Sequence, residues 1–192
     1  MEKHYTETCI ECSEDKNRKI FIYDNIFDYS CRTGIYEMAL QSFFQIKGYD
    51  NKILENKKDI SLVSLYTLRD FEGTQIFENI PYELKEKHNL DLKQIDSIMI
   101  NLCTPHDRFH VHTDNDSNGL TLIYYLNLEW NIEWGGDTCF LKSNGVDFEH
   151  IVEYKPGRLV LFHPQIPHII RPSTSLSPYF RFTLAAKFLR YG

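Results

Sequence analysis

Apolar residues along this chain change their period once. Ile35, Tyr36, Ala39, Leu40, Phe43 and Phe44 recur at three- and four-residue intervals. That spacing predicts one amphipathic helix over 30–47, capped by Asp28 or Ser30 and ended by Gly48. From Ile95 onward the period shortens into the runs IDSIMINLC, FHVH, LTLIYYLNLEW, DTCFLK, EHIVEYK, GRLVLF, HIIRP and YFRFTLAAKF. Turn residues at 115–119, 135–136, 143–145 and 156–157 separate them, as expected of short strands. Two earlier segments, KIFIYDNIF (19–27) and ISLVSLYTL (60–68), also read as strands. Pro81 suits the first turn of a short helix through Glu86; 70–79 reads as helical and 51–59 as a loop.

Closely spaced strands that follow a helical segment predict an α+β fold, mainly β. The architecture expected is a sandwich or jelly roll closed on one side by the earlier helices. Residues 1–192 then form one domain: a mobile, charged arm over 1–18, helical support over 19–94 and the jelly-roll core over 95–192.

Composition narrows the function classes. The net charge of −6, from 27 acidic against 21 basic residues, argues against a nucleic-acid backbone as main partner. No run approaches the roughly 18 to 20 apolar residues of a membrane span, and the polar N-terminus does not read as a secretory signal. Five irregularly spaced cysteines in a chain large enough to need no staples predict reduced thiols and a cytoplasmic setting. Cys9 and Cys12 form a lone C-x-x-C, read as part of the arm rather than as a zinc or redox site. Oligomeric state is not legible.

The candidate chemistry lies at a His-x-Asp pair, His112 and Asp114, with His168 far downstream. Residues i and i+2 of an extended segment face one side, so His112 and Asp114 can point together into the barrel mouth. Two imidazoles and one carboxylate leave open positions on a metal, the donor set of non-haem Fe(II) oxygenases. The residues alone leave two other readings open: a surface cluster with His106 and His110, or a catalytic zinc site for hydrolysis. The latter lacks an H-E-x-x-H motif. His110 is expected at the pocket entrance.

Three pieces carry a family resemblance: HTDNDSNGLTLIYYLNLEW, WGGDTCF, and YKPGRLVLFHPQIPHIIRP with YFRFTLAAKF. Together and in this order they resemble the 2-oxoglutarate/Fe(II) dioxygenases of the prolyl 4-hydroxylase-like branch. The resemblance implies an α+β, mainly β fold: a double-stranded β-helix (jelly roll) with N-terminal helices packed on the major sheet. The resemblance implies that His112, Asp114 and His168 hold Fe(II), with 2-oxoglutarate and O2 as co-substrates. It also implies that Arg181 pairs with the distal carboxylate of 2-oxoglutarate, a task suited to a planar guanidinium. Thr183, Tyr125 and Thr138 would line that pocket, while Tyr124 faces the opposite side as core. Two departures stand out. Arg181 lies further from His168 than the family's usual spacing, with Arg171 as a competitor turned away by strand alternation. A tyrosine usual upstream of His-x-Asp is also missing, leaving Asn101, Cys103 or Thr104 to fill its place.

An aspartate at 114, where related halogenases carry a small residue, implies hydroxylation. The substrate implied is a prolyl, amino-acid-like or other small molecule, free or in a peptide. A catalytically silent peptide-binding module and a nucleobase oxygenase are the alternatives.

Overall fold

The computed structural model describes residues 5–47, 61–71, 76–107, 109–114 and 119–189. Its elements are β1 (Thr6–Glu11), β2 (Lys19–Asp24), α1 (Tyr29–Gln41), β3 (Gln45–Lys47), β4 (Ser61–Tyr66), α2 (Tyr82–His88) and β5 (Ile95–Cys103). They continue with β6 (Leu120–Tyr125), β7 (Thr138–Leu141), β8 (Phe148–Val152), β9 (Leu159–Phe162), β10 (His168–Ile170) and β11 (Arg181–Phe188). An eight-stranded sheet runs β1-β2-β9-β6-β11-β5-β4-β3, and a three-stranded sheet runs β10-β7-β8. A single antiparallel bridge between His112 and His168 ties the His-x-Asp segment to the smaller sheet.

The central strands β9, β6 and β11 of the larger sheet are buried on both faces, and strand alternation sorts their side chains. Leu122 and Tyr124 of β6, Leu159 and Leu161 of β9, and Phe182, Leu184 and Ala186 of β11 share one apolar cluster. It also holds Cys31, Ile35 and Ala39 of α1 and Leu84 of α2. The intervening residues Ile123, Tyr125, Val160 and Phe162 pack instead with Phe140 and Val152 of the smaller sheet. The site lies between the two sheets. This is the expected jelly roll with helices on its major sheet.

Three expectations for the N-terminal half are corrected. The supposed arm contains β1, paired with β2 from Thr6↔Asp24 to Glu11↔Lys19. Nearly all of β1 is exposed, so it carried no apolar alternation to read. The first helix stops at Gln41 rather than 47. Ser42 takes extended backbone angles and bonds back to Ala39, after which β3 pairs with β4. Phe43 fitted the helical stripe but is 94% exposed. Of the segment 70–79 expected to be helical, the described residues form a 3₁₀ turn over Leu68–Phe71 and a turn over 76–79, while 72–75 lie outside the described residues. Gly48 and the 51–59 loop lie outside the described residues. Asp28 does cap α1, its carboxylate accepting from the Cys31 backbone N–H at 2.8 Å.

Candidate active site

His112, Asp114 and His168 form the one group of three His, Cys, Asp or Glu side chains among the described residues that is arranged to hold a metal ion. Their donor atoms all lie within 4.8 Å of one another. Backbone bonds fix the segment that carries them: His112 and His168 exchange N–H···O bonds of 3.0 and 2.9 Å, and the Asp114 N–H donates to the Pro164 carbonyl at 2.9 Å. Each imidazole is then oriented by its own neighbour. Nδ1 of His112 sits 3.0 Å from the His110 carbonyl, and Nδ1 of His168 sits 3.0 Å from the Ile166 carbonyl. A carbonyl only accepts, so each Nδ1 carries the hydrogen, and in the neutral ring the Nε2 lone pair is left for a ligand.

Burial presses the His168 imidazolium down to a pKa of about 4, reinforced by His112, so this ring is neutral at pH 7. Asp114 goes the other way. Burial alone would raise its pKa, but attraction from His168 and Lys187, with a hydrogen bond from Thr121, outweighs it and holds the carboxyl at about 2. Since His168 is neutral at pH 7, Lys187 is the cation that matters there. Its Nζ lies 2.9 Å from Asp114 Oδ1, and the Thr121 hydroxyl donates to Oδ2 at 2.6 Å. Sequence reading had assigned neither residue to the site. Leu62, Met99, Asn101, Cys103, Phe109, Ile123 and Ile170 line the pocket around this cluster.

Behind the pocket lies a closed, polar end. Arg181 has no exposed surface. Its Nε donates to the Gly136 carbonyl at 2.7 Å, and its guanidinium carbon stands 4.8 and 5.5 Å from the Tyr154 and Tyr125 ring centroids. Nη1 lies 3.8 Å from Cys103 Sγ. Nη2 is buried with no hydrogen-bond partner. A buried cationic donor without a partner is costly and fits a site for an anionic oxygen. Gly136, with φ +85°, permits this arrangement: a Cβ there would stand 3.1 Å from Arg181 Cδ and 3.2 Å from the Trp130 ring.

The other expected residues gather at the same end. Tyr125 donates to Thr138 Oγ1 at 2.8 Å, and both are fully buried. Thr183 is buried in register with Tyr125 and Asn101. The pocket lining takes in the His–Asp–His cluster; Arg181 meets it at Cys103, and Thr183 adjoins it through its register partner Asn101.

Asn101 and Cys103 line the pocket, while Thr104 turns to Asp107 instead. His110 contributes its carbonyl to His112 and is not part of the pocket wall, where Phe109 stands. Tyr124 packs with the helices. Arg171 lies over the Phe148 ring and Arg158 pairs with Asp24, both away from the site. Tyr154 went unassigned in the sequence, although its ring stacks on Tyr125 at 4.5 Å.

Residues 98–188 match the family model described as the 2OG-Fe(II) oxygenase superfamily. No curated protein sequence matches the chain. Among solved structures, a prolyl hydroxylase from Trichoplax adhaerens in complex with a hypoxia inducible factor peptide fragment superposes with a TM-score of 0.65 at 20% identity. That match covers 88% of this chain and 83% of the other. A prolyl-4-hydroxylase from Pseudomonas putida gives 0.65 at 18% identity, covering 97% and 92%. HygX from Streptomyces hygroscopicus, with nickel and 2-oxoglutarate bound, gives 0.63 at 10% identity, covering 88% and 82%. At these identities the structural likeness is one of fold. Both findings agree with the resemblance carried by the three motifs.

Proposed function

Because residues 98–188 match the model of the 2OG-Fe(II) oxygenase superfamily, we propose that this protein is an Fe(II)- and 2-oxoglutarate-dependent dioxygenase. It hydroxylates an unactivated C–H bond of a prolyl, amino-acid-like or other small-molecule substrate, free or in a peptide, and residues 1–192 form its single oxygenase domain. The observation that carries the reading is the convergence of His112, Asp114 and His168 beside a buried guanidinium whose Nη2 has no partner.

In this reading His112, Asp114 and His168 hold the metal, leaving room for exogenous ligands. Arg181 takes the distal carboxylate of 2-oxoglutarate, with Tyr125, Thr138 and Thr183 around it. When bound, the metal and its co-substrate supply O2 activation, with decarboxylation of 2-oxoglutarate to succinate. The chain's residues position and desolvate. Nδ1 bonds hold both imidazoles in one tautomer, Thr121 fixes the carboxylate, and the two sheets exclude water from Arg181. Asp114 occupies the position that a small residue would leave to a halide, which favours hydroxylation.

The apolar wall of Leu62, Met99, Leu102, Phe109 and Ile123 suits an uncharged aliphatic portion of the substrate. The acidic balance favours such a substrate over a nucleobase in nucleic acid. Five free thiols accord with a reducing, cytoplasmic setting. No helix among the described residues is long and apolar enough to cross a membrane.

The test is succinate formation from 2-oxoglutarate by anaerobically iron-loaded protein exposed to O2, wild type beside His112→Ala. Succinate that requires both Fe(II) and His112 supports the reading. Absence of both succinate and stoichiometric metal binding would favour a silent peptide-binding module.

A further inference from the structure

The two oxygens of Asp114 are unlike one another. Oδ2 faces the metal-binding side, 3.9 Å from His168 Nε2, and accepts from Thr121. Oδ1 is held by Lys187 at 2.9 Å, with both side chains largely buried. Lys187 and Thr121 are register partners on β11 and β6, so the carboxylate is gripped from two adjacent positions of one strand ladder. Lys187 shares its strand face with Ala185, Thr183 and Arg181.

We propose that Lys187 is a positioning residue that reserves Oδ1 of Asp114, so that the carboxylate meets a metal through Oδ2 alone. The proposal rests on the metal-site reading above. A carboxylate with both oxygens available can chelate a divalent ion and fill two coordination positions; one whose second oxygen already binds an ammonium fills a single position. The same ammonium repels the incoming ion. The site therefore holds its metal less tightly than its donor set allows, and keeps positions open for a bidentate keto acid and a third ligand.

Cobalt(II) binding to protein stripped of metal by a chelator tests this, with Lys187→Met, Lys187→Gln and Lys187→Arg beside wild type. Loss of the charge in Lys187→Met should tighten Co(II) binding about tenfold. It should also shift the visible d–d absorption, as the freed Oδ1 enters the coordination sphere. Lys187→Arg, which keeps the charge and the donor, should restore the wild-type affinity and spectrum. Where thermal melting shows Lys187→Met to be unfolded, Lys187→Gln carries the test, with affinity between the other two. Unchanged affinity and spectrum in the charge-free variants would overturn the role of Lys187 alone. His112→Ala separates the premise: if wild type binds Co(II) no better than His112→Ala, the metal-site reading falls and the inference with it.

Discussion

The two faces of the larger sheet are built from the same strands and stand in contrast. On β11, Phe182, Leu184 and Ala186 join the apolar cluster under the helices, while Arg181 and Thr183 between them are equally buried and polar. The helix-side face gains stability from area removed from water. The inner face also packs Ile123, Val160 and Phe162 against Phe140, but gives part of that stability away. It buries a guanidinium with an unpartnered nitrogen, an imidazole and a carboxylate, each of which costs free energy unless paired. One face makes the fold and the other makes the site, one residue apart along a single strand.

Truncation on the helix side should have the largest effect on stability. Leu184→Ala, at a position with no exposed surface, should cost about 3 kcal/mol in urea unfolding by leaving a cavity. Metal affinity of the protein that remains folded should not change. A comparable loss of metal affinity would mean that the faces are not separable.

On the inner face the pattern should invert. Arg181→Met removes a buried cation that lacks an anionic partner, so stability should move by no more than about 1 kcal/mol. Calorimetry should instead show 2-oxoglutarate affinity reduced about 100-fold through loss of a charge-assisted pair. A strongly destabilised variant that still binds 2-oxoglutarate would make Arg181 a structural residue.

A smaller effect concerns pH. His168 has a folded pKa of about 4, below the ordinary imidazole value of 6.5. The unfolded state therefore binds the extra proton between those values. Its contribution is complete above the upper value and is lost as pH falls through the window toward the lower one. Urea melts of metal-free protein should fall more steeply over that range in wild type than in His168→Gln, and equal slopes would contradict it.

The contrast between the faces also explains what the sequence could disclose. The central strands after Ile95 were legible because burial on both sides leaves near-continuous apolar runs such as LTLIYY, whereas FHVH, also read as a strand, forms only the single bridge at His112. β1 was not, since an exposed edge strand has no inside to alternate with. The end of α1 was overrun because Phe43 and Phe44 extend the helical stripe, while the backbone turns at Ser42 to reach β4. His112 and Asp114 were readable as a local i, i+2 pair, and Arg181 through its motif. Lys187 reads, inside LAAKF, as the polar end of a strand. Its place beside Asp114 depends on the register Lys187↔Thr121 and on the turn that carries the aspartate, neither of which is written locally.

In the proposed function the metal cluster and the buried arginine form one binding site for 2-oxoglutarate. The decisive test is calorimetric titration of 2-oxoglutarate into anaerobic Fe(II)-loaded and metal-free protein. One equivalent should bind, at least about tenfold more tightly with metal, because chelation adds to the ion pair at Arg181. No binding in either form, or binding indifferent to the metal, would contradict it.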